Sequence, residues 1–167
     1  MVQAASAVAL ALLALAGLAK LMEPEYTSGA LRATGLPSGI GIVRLLGMAE
    51  FMAGVAGLVL GGPLVAPAAV FYAGFSVFTW QALRRDTPLQ SCGCFGREDT
   101  PPSTIHLVFD VVATIALAAV AVANLSPLPP GRSIETIVYA GFVGLGTYAS
   151  VLVLTRLPAV LRLARSS

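Results

Sequence analysis

Apolar residues run along the chain in five stretches, about Val2 to Met22, Ile40 to Leu60, Leu64 to Leu83, Thr104 to Asn124 and Ser133 to Thr155. A helix rising about 1.5 Å per residue needs roughly 20 apolar residues to cross the hydrocarbon of a bilayer, so each stretch is long enough to span. Each break has a local cause. Glu23-Pro24-Glu25 ends the first stretch, Gly61-Gly62-Pro63 separates the second from the third, and the polar run Arg84 to Ser103 follows. Ser126-Pro127 and Pro129-Pro130-Gly131 close the fourth. The Gly-Gly-Pro break is so short that spans two and three must form a tight hairpin. After Pro158 the basic tail, with Leu161, Arg162, Leu163 and Arg165, suits a short helix lying at the membrane surface. The pattern predicts an all-α polytopic membrane protein, one domain over 1–167, with a bundle of about five transmembrane helices.

Composition narrows the function classes. Only 11% of the 167 residues are charged and the mean hydropathy is +0.86, whereas soluble domains carry about 25% charged residues. Five spans and short loops use up the length, which leaves no soluble catalytic domain, and the lipid bilayer is the first partner. A net charge of +2 is too mild for a nucleic-acid partner. No Lys or Arg precedes the first apolar stretch and the stretch is long, so it reads as a retained helix and not a cleaved leader.

The basic residues are sorted by side. Five spans put the first and third connections and the C-terminus on one face. That face collects Lys20, Arg32, Arg44, Arg84, Arg85, Arg97, Arg156, Arg162 and Arg165, against Arg132 alone on the other, nine to one. Cytoplasmic loops carry the excess of Lys and Arg. The count predicts a multi-pass protein of the cell membrane, with the third connection and the C-terminus in the cytoplasm.

That third connection holds the two cysteines, in Ser91-Cys92-Gly93-Cys94-Phe95-Gly96. A disulfide between residues two apart closes a small strained ring that is easily reduced, and Gly93 permits the turn. Arg84, Arg85 and Arg97 can stabilise a thiolate. The same thiols can instead supply half of a soft-metal site for Cu(I), Hg or Zn in a transporter or chaperone, with His106 or a Met as a further ligand, or be inert small hydrophobes in a structural anchor of a redox enzyme. Spacing does not separate these readings, and the cofactors open to such a site are a quinone or a soft metal.

Glu50 lies ten residues into the second span, about 15 Å deep and near the midplane. On a helical wheel Gly47, Glu50, Gly54, Gly57 and Gly61 share an arc of about 80°, so the acid belongs to a close-packing, inward glycine face. It serves either as a proton carrier or as an interhelical hydrogen-bond partner. In the fourth span Ser103, His106, Asp110, Thr114 and Asn124 share a similar arc of about 80°. His106 and Asp110, four apart, can pair and move a proton or fix helix register. Lys20 can meet a buried carboxylate, but snorkelling to the interface is its expected role. Tyr26, Trp80 and Gln81 fit interfacial anchors.

Together, Gly17-Leu18-Ala19-Lys20-Leu21, the Arg44 to Glu50 stretch and above all Cys92-Gly93-Cys94-Phe95-Gly96 resemble the MauE family of methylamine-utilisation membrane proteins, related to DoxX-like four-helix membrane proteins. The resemblance covers roughly Leu12 to Leu117. It implies a DoxX-like four-helix core plus one helix, and a role in maturing an exported disulfide-containing client, in the type member the small subunit of methylamine dehydrogenase. It also implies a thioredoxin-like partner, and functional weight on Cys92, Cys94, Lys20, Arg44 and Glu50.

Overall fold

The computed structural model describes residues 2–84, 101–128 and 134–166. The cysteine segment, Cys92 to Gly96, and its flanking Arg85 and Arg97 lie outside the described residues, as does Arg132. Among the described residues the fold is all helical: α1 (Val2–Met22), α2 (Pro24–Ala33), α3 (Ile40–Leu60), α4 (Ala66–Arg84), α5 (Thr104–Val122) and α6 (Ile134–Ser166), with a 3-10 turn over Gly62–Val65. Five segments are long and apolar enough to cross a membrane: α1, α3, the 3-10 turn with α4, α5, and α6 as far as Pro158. Large apolar side chains face outward from them. Val122 exposes 89% of its surface and Leu45 71%, which fits hydrocarbon as the surrounding solvent, since only structures that satisfy their own backbone, as helices do, can lie there. The chain is a multi-pass membrane protein.

Helix α1 is central and packs against α3, α5 and α6, while α4 lies along α5. The core between them includes Leu10, Leu13, Val65, Leu117 and Val120, all essentially buried. The α1–α3 contact is the tightest in the bundle, and glycine makes it so. A Cβ on Gly17 would lie 2.5 Å from the carbonyl oxygen of Gly47 and 2.5 Å from the amide nitrogen of Phe51. One on Gly54 would lie 2.7 Å from the Ala14 nitrogen and the Leu10 oxygen. Backbone meets backbone there, the close approach that small residues permit in membranes. The inward glycine face expected of the second span is therefore present, with Gly47, Glu50, Gly54 and Gly57 all buried.

The tight hairpin is also as expected. Gly61 and Gly62 both have positive φ, 66° and 57°, a conformation that favours glycine. The Gly62 amide donates to the Leu125 carbonyl at 2.9 Å, so the hairpin also anchors the end of α5.

Four expectations change. The first connection contains α2, which the hydropathy pattern left as loop. It begins with Pro24 in its first turn, has Glu25 there too and Arg32 in its last turn, all favourable end signals. The third span starts with a 3-10 turn before α4 rather than as one α-helix from Leu64. The fourth ends at Val122, and Asn124 has φ 51° and is exposed, so it leaves the helical wheel that placed it inward. Finally, α6 continues unbroken past Pro158 to Ser166, so the tail is no separate surface helix. Membrane helices tolerate an internal proline when its freed carbonyl is satisfied locally. At 33 residues α6 is about 50 Å long, well beyond a bilayer core of about 30 Å, so its end extends past the membrane.

Candidate functional site

The direction of side chains on antiparallel helices brings Lys20 and Glu50 together. Cα–Cβ bonds tilt toward a helix's N-terminus. Lys20, near the end of α1, therefore leans back into the membrane, while Glu50 on α3 leans toward the face where α1 ends. Gly17 and Gly47 hold the two backbones close enough for the pair to meet, with Lys20 Nζ 2.8 Å from Glu50 Oε2. Both side chains are buried, 3% and 0% exposed. Lys20 does not snorkel. The expectation that it would do so fails because the helix directs its side chain inward and a carboxylate waits there. The second oxygen of Glu50, Oε1, has no hydrogen-bond partner among the described residues.

The ammonium of Lys20 also lies 5.5 Å from the centre of the Phe75 ring, within cation–π range. Phe75 begins an aromatic group on α4 and α5. Tyr72 meets Phe75 edge to face at 5.9 Å and Phe109 at 6.1 Å, and its hydroxyl donates to the Ala9 carbonyl at 2.7 Å.

Asp110 lies about 9 Å below the start of α5. It is 9% exposed, and its Oδ2 accepts a hydrogen bond from Thr79 Oγ1 at 3.5 Å, the outer limit of such a bond. One turn toward the membrane face, His106 is buried, with Nδ1 2.8 Å from Ser103 Oγ. Thr114 caps the row from below and donates to the backbone carbonyl of Asp110 at 2.8 Å. Ser103, His106, Asp110 and Thr114 thus occupy one inward face, as the wheel predicts. His106 meets Ser103 there, and the Asp110 carboxylate meets Thr79. A small cavity of about 20 Å³ opens where α1, α4, α5 and α6 meet, lined by Tyr72, Phe75, Thr79, His106, Phe109 and Asp110 among others.

The structure therefore gathers Lys20, Glu50, His106 and Asp110 inside one bundle. It does not gather Arg44, which is exposed on α3. Residues 44 and 50 differ by about 240° around a helix, so the two cannot share a face. Trp80 is exposed and carries the Arg84 guanidinium 4.3 Å from its ring centre, while Tyr26 lies partly exposed on α2. Both positions suit interfacial anchors. Sequence reasoning passed over Tyr72, Phe75 and Thr79. All three sit in an otherwise apolar run, and only their spacing of three and four, which places them on one helical stripe, could have marked them.

Among the described residues no group of three or more His, Cys, Asp or Glu side chains could hold a metal ion. The segment 85–100 links the end of α4 to the start of α5, so its two ends emerge from the neighbouring helices that hold Thr79, His106 and Asp110.

No curated protein and no solved structure matches the chain. A family model does: that of methylamine utilisation protein MauE matches residues 1–124. The match takes in α1 to α5, the polar interior and the cysteine segment, and leaves α6 outside. With about three-quarters of its length matched, the chain belongs to the MauE family of methylamine utilisation membrane proteins.

Proposed function

We propose that Cys92 and Cys94 are a reversible thiol–disulfide pair that supports oxidative maturation of an exported, disulfide-containing client, together with a thioredoxin-like protein. The observation that carries this reading is the Cys92-Gly93-Cys94 sequence itself. Two thiols separated by one glycine form a strained, readily exchanged disulfide. Membership of the MauE family supports a role tied to methylamine utilisation.

A client thiolate attacks one sulfur of the Cys92–Cys94 disulfide, that bond breaks, and the second cysteine leaves as a thiolate. The client's other thiolate then displaces the mixed disulfide. The client gains a disulfide, and the cysteine pair gains two electrons. The pair returns these, with two protons, to a disulfide of the thioredoxin-like partner. The Thr79–Asp110 contact ties together α4 and α5, the two helices that carry the loop's ends, and the Lys20–Glu50 pair ties α1 to α3.

Replacing Cys94 by serine removes the thiol that would resolve a mixed disulfide formed at Cys92. C94S is expected to accumulate a covalent adduct with a thioredoxin-fold protein that disappears on reduction, seen as a shifted band on a non-reducing gel and identified by mass spectrometry. If neither C94S nor C92S yields any such adduct, and cells lacking both thiols mature their disulfide-containing clients normally, the reading fails.

A further inference from the structure

Among the described residues, Asp110 is a buried acid outside the Lys20–Glu50 ion pair. Lys20 and Glu50 neutralise each other at 2.8 Å. Asp110 is nine-tenths buried, and the hydrogen bond its carboxylate receives from Thr79 is 3.5 Å long. A carboxylate taken out of water is costly unless a cation or strong donors meet it. Asp110 also lines the cavity between α1, α4, α5 and α6, whose volume is about 20 Å³. A single water needs about 10–15 Å³, so this space suits a body of one or two heavy atoms and is far too small for a cofactor ring.

The walls indicate which chemistry would fill it. Tyr72, Phe75 and Phe109 bring aromatic rings to the lining, Thr79 and Asp110 bring oxygen, and His106 brings its imidazole. Hard metal ions require about six oxygen ligands, which this lining does not offer. Aromatic rings attract ammonium ions instead. This wall already does so, since the Lys20 ammonium lies 5.5 Å from the Phe75 ring centre. The geometry points to the cavity as a binding site for a small primary ammonium ion, of the size of ammonium or methylammonium, held by Asp110 and Thr79 against the aromatic group. The polar face Ser103, His106, Asp110 leads to it from the membrane surface where α5 begins. The site is independent of the thiol chemistry proposed above.

The test uses the full-length protein in nanodiscs of zwitterionic lipid, titrated with ¹³C-methylammonium chloride at constant ionic strength set by sodium chloride. Saturable binding is expected, with the bound methyl resonance moved upfield by the rings. Ammonium should displace the signal, whereas sodium and the bulkier tetramethylammonium should not. Asp110→Asn should weaken binding about tenfold or more, and Phe75→Leu should reduce the upfield shift. Absence of a saturable upfield signal in the wild type, equal displacement by tetramethylammonium, or unchanged affinity in folded D110N would each overturn the site. Should D110N not fold, the competition experiment on the wild type decides alone.

Discussion

Replacing Lys20 by methionine should destabilise the bundle by about 3–5 kcal/mol, because it leaves Glu50 as a buried acid without its partner. The pair is 2.8 Å long and both side chains are almost wholly buried. With Lys20 gone, nothing among the described residues hydrogen-bonds Glu50 at Oε2, and Oε1 has no such partner to begin with. The complementary change tests the cause. The double variant K20M/E50L removes both charges and fills similar space, and replacing a buried ion pair by apolar residues is often neutral or stabilising. It should therefore recover most of the lost stability. Thermal or denaturant unfolding in detergent micelles measures both. Equal losses in K20M and K20M/E50L would show that packing, and not charge, matters at Lys20.

The second large effect concerns the glycine seam. Gly17→Leu should separate α1 from α3, because even its first carbon would fall 2.5 Å from the backbone of Gly47 and Phe51. Backbone atoms cannot rotate away as a side chain can. Overpacking of this kind costs about 1–3 kcal/mol and more where backbone must move. It should also lengthen the Lys20–Glu50 contact, since Gly17 sits one turn from Lys20. Gly74 provides the control. A Cβ there meets nothing within 4 Å, and alanine suits a helix better than glycine by about 0.5–1 kcal/mol, so G74A should match or exceed the wild type. A G17L protein as stable as G74A would remove the close α1–α3 approach from the account.

Most of the fold was legible in the spacing of apolar runs. Hydrocarbon length fixes how long a spanning helix must be, and glycine and proline mark where each stops, so the ends of α1 and α3 fall where the pattern puts them. The failures have a common origin: hydropathy is blind to short, weakly apolar helices and to side-chain direction. α2 is ten residues long and mostly polar, and only its end signals, Pro24, Glu25 and Arg32, announce it. Pro158 reads as a stop because that rule comes from soluble helices, and α6 runs through it.

The candidate site was partly legible for the same reasons. The wheel placed Glu50, His106 and Asp110 inward because an ionisable group cannot face lipid cheaply. It could not place Lys20, whose long stem reaches either water or the core. Leaning toward the helix N-terminus decides between these, and for a residue near the end of α1 that direction is inward. Thr79 and the aromatic group on α4 escaped because neither carries charge, and their role follows only from what α5 sets against them. Arg44, prominent in the resemblance, proved to lie on a different face from Glu50.

The proposal that Cys92 and Cys94 exchange electrons can be tested without knowing the client. Growing cells are quenched in acid to freeze thiol states, and the protein is then treated with a mass-tagged maleimide with and without prior reduction. Reversible exchange predicts a population that takes up no tag until it is reduced and two tags afterwards, and that is lost in both C92S and C94S. Two tags on every molecule before reduction, in all growth conditions, would contradict it.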